Sequence, residues 1–168
     1  MRPVVWRPPA EPSAAEQTVI MAVRRAKLFV FLRLHRYELF DEEFQARLAA
    51  AYADSPKGQP PVPPAQLALA TILQAYTGVS NDEVIEAAVM DRRWQLALDC
   101  LDAGQPPFSK GTLVGFRNRL ISHNLDRALA DRTVGLATAT KGSARGRCGR
   151  RWTPAPCGAR GGWRTRST

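Results

Sequence analysis

The end of this sequence lacks the aliphatic residues from which a core is built. From Gly142 to Thr168 there is no Leu, Ile, Val, Met, Phe, Asp or Glu; the segment is Arg, Gly, Trp, Thr, Pro, Ala, Ser and Cys. Without aliphatic side chains it cannot bury a face against a neighbour, so a disordered basic tail is expected there. Long apolar runs are missing as well. The most strongly apolar, Leu28 to Leu32, is far too short to span a bilayer and follows Arg24, Arg25 and Lys27, so no membrane partner is expected. It is internal and has no small-residue cleavage site after it, which excludes a signal peptide reading. Cysteine is scarce and odd in number: Cys100, Cys148 and Cys157 match no zinc spacing and no disulfide framework. Cys100 sits in an apolar stretch and reads as a buried small hydrophobe, which suits a reduced cytoplasm. His35 and His123 stand apart from each other and from any metal-ligand cluster. No pair of acids stands out as catalytic, and no glycine-rich phosphate loop is present. No segment alternates apolar and polar residues with period two, so strands are not indicated.

What is present is a chain of 168 residues with a formal charge of +9, unevenly spread. Eight of the 24 Lys and Arg lie from Lys141 onward and none of the 15 Asp and Glu do, which leaves residues 1–140 with a balance of only +1. The high pI therefore belongs to the tail. For the rest of the chain, a polyanionic partner follows only if its bases gather on one face. The length is enough for one domain with its own core.

The pattern of the first 140 residues is helical. Pro3, Pro8, Pro9 and Pro12 make residues 1 to 14 an extended arm. Residues 15 to 34 mix Ala, Val and Leu with bases and read as a helix. Asp41 caps a helix running through Tyr52, with Phe44, Leu48 and Ala51 at helical spacing. Ser55-Pro56-Lys57-Gly58 ends it, and Pro60, Pro61, Pro63 and Pro64 form a rigid linker. Pro64 suits the first position of the next helix. There Leu67, Leu69, Ile72, Leu73 and Tyr76 cover most of the circumference, as a central buried helix requires. Gly78 closes it. Ser80 opens another with Glu83 three residues on, a capping box. Asp91 begins a shorter helix bearing Trp94. Gln105-Pro106-Pro107 breaks the chain, Ser109 or Thr112 caps a further helix, and Asn124 caps the last. The expectation is an all-α fold of five or six helices.

Two segments carry functional signals. The helix–Gly–Ser–helix unit at residues 64 to 89 has helix-turn-helix character, although an αα-corner in a core has the same pattern. The segment from Phe108 to Leu120 is sharper. Ser109 and Thr112 at a helix start can offer hydroxyls and backbone N–H groups to a phosphate. Lys110 and Arg117 lie two turns apart on one side, and Arg117, Asn118 and Arg119 bring the residue types that read guanine and adenine edges. The expected DNA-binding set is therefore Ser109, Lys110, Thr112, Arg117, Asn118 and Arg119; a capped, solvated helix face is the plainer alternative. Arg92, Arg93 and Trp94 could form a basic–aromatic contact, with Trp94 more naturally a core residue. The Arg-Gly pairs of the tail resemble RNA-binding arms.

Three stretches, Leu73-Gln74-Ala75-Tyr76-Thr77-Gly78-Val79-Ser80-Asn81-Asp82-Glu83, Trp94-Gln95-Leu96-Ala97-Leu98-Asp99, and Pro107-Phe108-Ser109-Lys110-Gly111-Thr112-Leu113 followed by Phe116-Arg117-Asn118-Arg119-Leu120, together resemble the N-terminal (InsH-type) domain of insertion-sequence DDE transposases. The likeness runs in order over residues 26 to 140. It implies a helical region that recognises double-stranded DNA at the element's terminal inverted repeats and has a capacity for self-association. In that family a ribonuclease-H-like domain follows, whose three acids hold two divalent metals, normally Mg2+, for strand cleavage and transfer. The stretch that carries the first of those acids has no counterpart in this sequence.

A shadow of that stretch is nevertheless present. Residues 145–165 can be written in codons which, read one base earlier, give Ala-Arg-Ala-Leu-Arg-Ala-Ala-Leu-Asp-Ser-Ser-Pro-Leu-Trp-Gly-Ala-Gly-Arg-Val-Glu-Asp. That is the family's segment around its first catalytic acid, whose codon would straddle Trp152 and Thr153. The expectation is a one-base frameshift near Gly142, by decay or by programmed slippage, and a truncated chain inactive alone. Three parts result: residues 1–25, arm and first helix start; 26–140, helical transposase N-terminal domain; 141–168, out-of-frame tail. A stand-alone helical protein-interaction module without a DNA role is the rival account, supported by the near-neutral charge of residues 1–140.

Overall fold

The computed structural model describes residues 3–53 and 61–147, with side chains up to Thr140. The stop at Ser55–Gly58 and the tail beyond Arg147 lie outside the described residues. The fold is all-α, with eight helices among them: α1 (Ala14–Ala22), α2 (Lys27–Leu39), α3 (Glu42–Ala50), α4 (Pro64–Thr77), α5 (Asn81–Met90), α6 (Arg92–Leu98), α7 (Lys110–Ser122) and α8 (Leu125–Arg147). That is more than the five or six expected. One reason is that the stretch 15–34 is two helices rather than one. Val23 turns extended, with φ −78° and ψ 98°, and the chain restarts at Lys27. No Gly or Pro marks this break. It is set by packing, since both α1 and α2 lie against α6. The last helix continues past Lys141, where sequence composition changes.

α4 is the centre. Every residue from Pro64 to Ala70 is buried, together with Leu73 and Gln74, and α3, α5, α6 and α7 all pack on it. Its missing first N–H groups are handled by Pro64 at the first position, and its end by Gly78 in the left-handed conformation, φ 73°, whose N–H donates to the Gln74 carbonyl. Tyr76 faces outward instead of completing the apolar surface. Ser80 and Glu83 form the expected capping box of α5. Asp41 accepts the Phe44 N–H at 2.8 Å to cap α3. This bond and Arg132 from α8 hold its carboxyl below the ordinary range. Asn124, expected as a helix cap, instead takes φ 53° and reverses the chain between α7 and α8. Asn tolerates that region better than other side chains with a Cβ.

The N-terminal arm is not free. Its main-chain carbonyls at Pro8, Pro9, Ala10 and Glu11 accept bonds from Tyr37, Arg36 and Arg33 of α2. Gln45 of α3 bonds both the N–H and the carbonyl of Trp6, at 2.8 and 3.2 Å. Arg33 is 1% exposed and also grips Glu16 through two bonds, at 2.5 and 3.0 Å. That ion pair, together with the Ser13 N–H, holds the Glu16 carboxyl low against the opposing effect of its burial. Arg36, 2% exposed, reaches Asp99 at 3.2 Å and stacks over Trp6.

Candidate nucleic-acid interface

α7 carries the expected DNA-binding residues, and the fold distributes them unevenly. Leu113, Phe116 and Leu120 are buried and fix which side of α7 faces the core. Ser109 is the N-cap: its Oγ accepts the Thr112 N–H at 3.2 Å and lies 2.9 Å from the Thr112 hydroxyl. Both hydroxyls are thereby engaged in holding the helix start. Lys110 and Arg117 do lie on one side, as their spacing requires, but that side meets the α4–α5 corner. Lys110 Nζ donates to Asp82 at 2.7 Å. Arg117, partly buried, donates to Gln74 Oε1 at 2.9 Å and to Asn81 Oδ1 at 2.6 Å. Gln74 in turn donates to Asn81 and to the Val79 carbonyl. Arg117 is thus a clamp across three helices, made with two of its donors.

Asn118 and Arg119 remain exposed and make no ion pair among the described residues. Arg119 lies 4.6 Å from the ring centre of Tyr52 and borders a cavity of about 480 Å3 with Thr112, Gly115 and Val62. The Tyr52 hydroxyl is buried there without a hydrogen-bond partner among the described residues, and burial raises its pKa against the pull of Arg119. The open side of α7 also carries Gly111 and Gly115. A Cβ on either would meet only ordinary contacts, 3.9 Å to Ser109 and 3.6 Å to Arg119, so the chain's own packing does not demand glycine.

Charge separates α7 from its neighbour. α7 has Lys110, Arg117 and Arg119 and no acid, whereas α5 has Asp82, Glu83 and Glu86 and no base. In a helix-turn-helix the second helix enters the groove. The turn at Gly78 is present, but an acidic α5 would meet phosphates with like charge, so of the two helices only α7 suits a polyanion.

Two features have no counterpart in the sequence pattern. One is the pair of buried arginines under the arm; their only signal is Arg33 and Arg36 three residues apart inside an apolar run. The other is the meeting of Arg24 and Arg25 with Arg92 and Arg93 around one cavity, which no linear spacing discloses. Trp94 is core, edge-on to Phe29 with ring centres 5.9 Å apart. Cys100 is partly buried; burial and the Asp99 charge push its thiol up to about 11, which makes it a poor nucleophile at neutral pH. Among the described residues no group of three or more His, Cys, Asp or Glu could hold a metal ion, and no chemical step is assigned to them. None of their helices is long and apolar enough to cross a membrane.

Fold and surface together define an all-helical domain in which one capped helix turns a basic, acid-free side to solvent. Residues 27–119 match the transposase domain family DUF772, and the chain belongs to that family. No curated protein and no solved structure matches it.

Proposed function

We propose that the helical domain binds double-stranded DNA at the terminal inverted repeats of a transposable element, with α7 as the helix laid against the duplex. The observation that carries this reading is the open side of α7. Asn118 and Arg119 are exposed there without ion-pair partners among the described residues, no acid interrupts them, and Gly111 and Gly115 leave room for a close approach although each costs helix stability of about 1 kcal/mol. Of the six expected residues, Asn118 and Arg119 are the two whose side chains make no hydrogen bond or ion pair among the described residues. Ser109 and Thr112 hold the helix start, and Lys110 and Arg117 tie the helix to the α4–α5 corner. The test is anisotropy of a labelled duplex carrying the element's end sequence, against a scrambled duplex. Replacing Asn118 and Arg119 together by Ala should weaken specific binding tenfold or more, the scale of one base-edge interaction of about 1–3 kcal/mol. Equal affinity of variant and parent would sink the assignment.

The near-neutral charge of residues 1–140 favours a second reading, a protein-interaction module, and exposed Ile121 and Val134 on α7 and α8 would serve it. Duplex binding by the domain that falls steeply with salt argues against it. We also propose that residues 142–168 are read out of frame. The nucleotide sequence from the codon of Thr140 onward tests this: a −1 frame that opens into a long acid-bearing domain supports it, and closed frames overturn it. A slippery run at Thr140-Lys141 would mark programmed slippage, and its absence decay.

A further inference from the structure

We infer that Arg24, Arg25, Arg92 and Arg93 form a second phosphate-binding surface, which takes the DNA backbone outside the footprint of α7. The inference rests on the DNA-binding reading above. The four guanidiniums come from two distant parts of the chain, the turn between α1 and α2 and the start of α6, and they line one cavity of about 380 Å3 floored by Val19 and Ala26. Arg92 pairs with Asp102 at 3.1 Å, and Arg93 grips Asp91 at 2.5 Å while lying over the Phe29 ring. These bonds hold two of the arginines at the rim. Arg24 and Arg25 are exposed and make no ion pair among the described residues, nor does Lys27 beside them. No carboxylate lines the cavity. Of the four arginines that line it, two are paired and two are not, and two further acids, Glu83 and Glu86, line the adjoining pocket beside Arg93. Gathering like charges raises the free energy of the empty protein, and an incoming polyanion relieves it. The guanidinium fork matches phosphate oxygens two at a time, and the apolar floor strengthens the field by excluding water.

The surface is distinct from the α7 side. α7 packs chiefly on α4, α5 and α8, whereas the cavity is lined by α1, the turn between α1 and α2, and α6. A duplex seated on α7 alone leaves these arginines without a role.

The test is site-resolved modification of arginines by phenylglyoxal in the full chain, with and without duplex DNA, read by mass spectrometry. Because each arginine is read separately, the eight bases from Lys141 onward do not mask the result. Protection of Arg24 and Arg25 by duplex supports the surface. Protection of Arg119 while Arg24 and Arg25 stay reactive overturns it and leaves the α7 reading intact. No protection before Lys141 overturns the DNA-binding reading and this inference with it. Protection by polyglutamate but not by duplex overturns the phosphate assignment. As a second measurement, R24A/R25A in the full chain should keep its helical circular dichroism. The slope of log affinity against log salt should shrink by about 2, near 0.9 for each phosphate that the variant no longer neutralises. An unchanged slope overturns the inference.

Discussion

The two sides of this domain are held together by different chemistry. Around α4 the contacts are aliphatic: Leu67, Leu69 and Leu73 are fully buried among Val84, Leu113 and Phe116, and one neutral-to-cationic cluster, Gln74–Asn81–Arg117, ties the corner. On the arm side the cohesion is polar. Two buried arginines and a glutamine meet main-chain groups of residues 6–11, and a buried glutamate holds one of those arginines. The difference follows from composition. A proline-rich arm offers carbonyls and few N–H groups, so it cannot satisfy itself by helix or strand. It needs donors from elsewhere, and arginine brings five per side chain. The α4 side has helices that satisfy their own backbones and only need to exclude water.

That contrast can be broken from either side. The largest effect is expected from Arg33→Ala, which leaves Glu16 charged and buried and strips two arm carbonyls; removal of one partner of a buried pair costs about 3–5 kcal/mol. Limited proteolysis should then cut first before Ser13, with α4 to α7 protected longest. Simultaneous loss of protection throughout would show that the arm and the bundle form one cooperative unit. Leu69→Ala on the other side should cost about 2–5 kcal/mol through the cavity it leaves, measured as a lower urea midpoint. This loss should be the same at pH 7 and pH 5.

Acid gives a smaller and more selective effect. The Glu16 carboxyl is held low by Arg33 and the Ser13 N–H, and Asp41 by the Phe44 N–H and Arg132. A depressed folded pKa means that the stabilisation is complete above the unfolded value, near 4 for these side chains, and drains away as pH falls through the folded one. The urea midpoint should therefore hold from pH 7 to about 5 and decline below about 4. In Arg33→Ala the decline should be shallower, since Glu16 then has no guanidinium to lose. An equal decline in parent and variant would assign the acid sensitivity to other carboxylates.

Much of the fold was legible because it depends on local chemistry. Pro64, Gly78, the Ser80–Glu83 box, Asp41 and Ser109 all act within four residues of themselves, and each caps or opens the helix that its position in the sequence implies. The break at Val23–Ala26 was not legible, since it comes from two helices sharing α6. At the candidate site, spacing correctly put Lys110 and Arg117 on one side of α7 but could not say what that side faces. An arginine aimed at a groove and an arginine aimed at Gln74 and Asn81 have the same periodicity. The Arg24–Arg25 and Arg92–Arg93 surface was invisible for the same reason: its two halves are neighbours only after folding.

The arm has one further consequence. Pro8, Pro9, Ala10 and Glu11 are recognised by their carbonyl oxygens, and of the four only Pro8 is also buried. The fold therefore measures this segment as a ruler does, by count and not by content. Exchanging Ala10 for another residue leaves all four marks in place. Adding or deleting one residue between Trp6 and Ser13 shifts the marks against two guanidiniums and one phenol whose places are fixed.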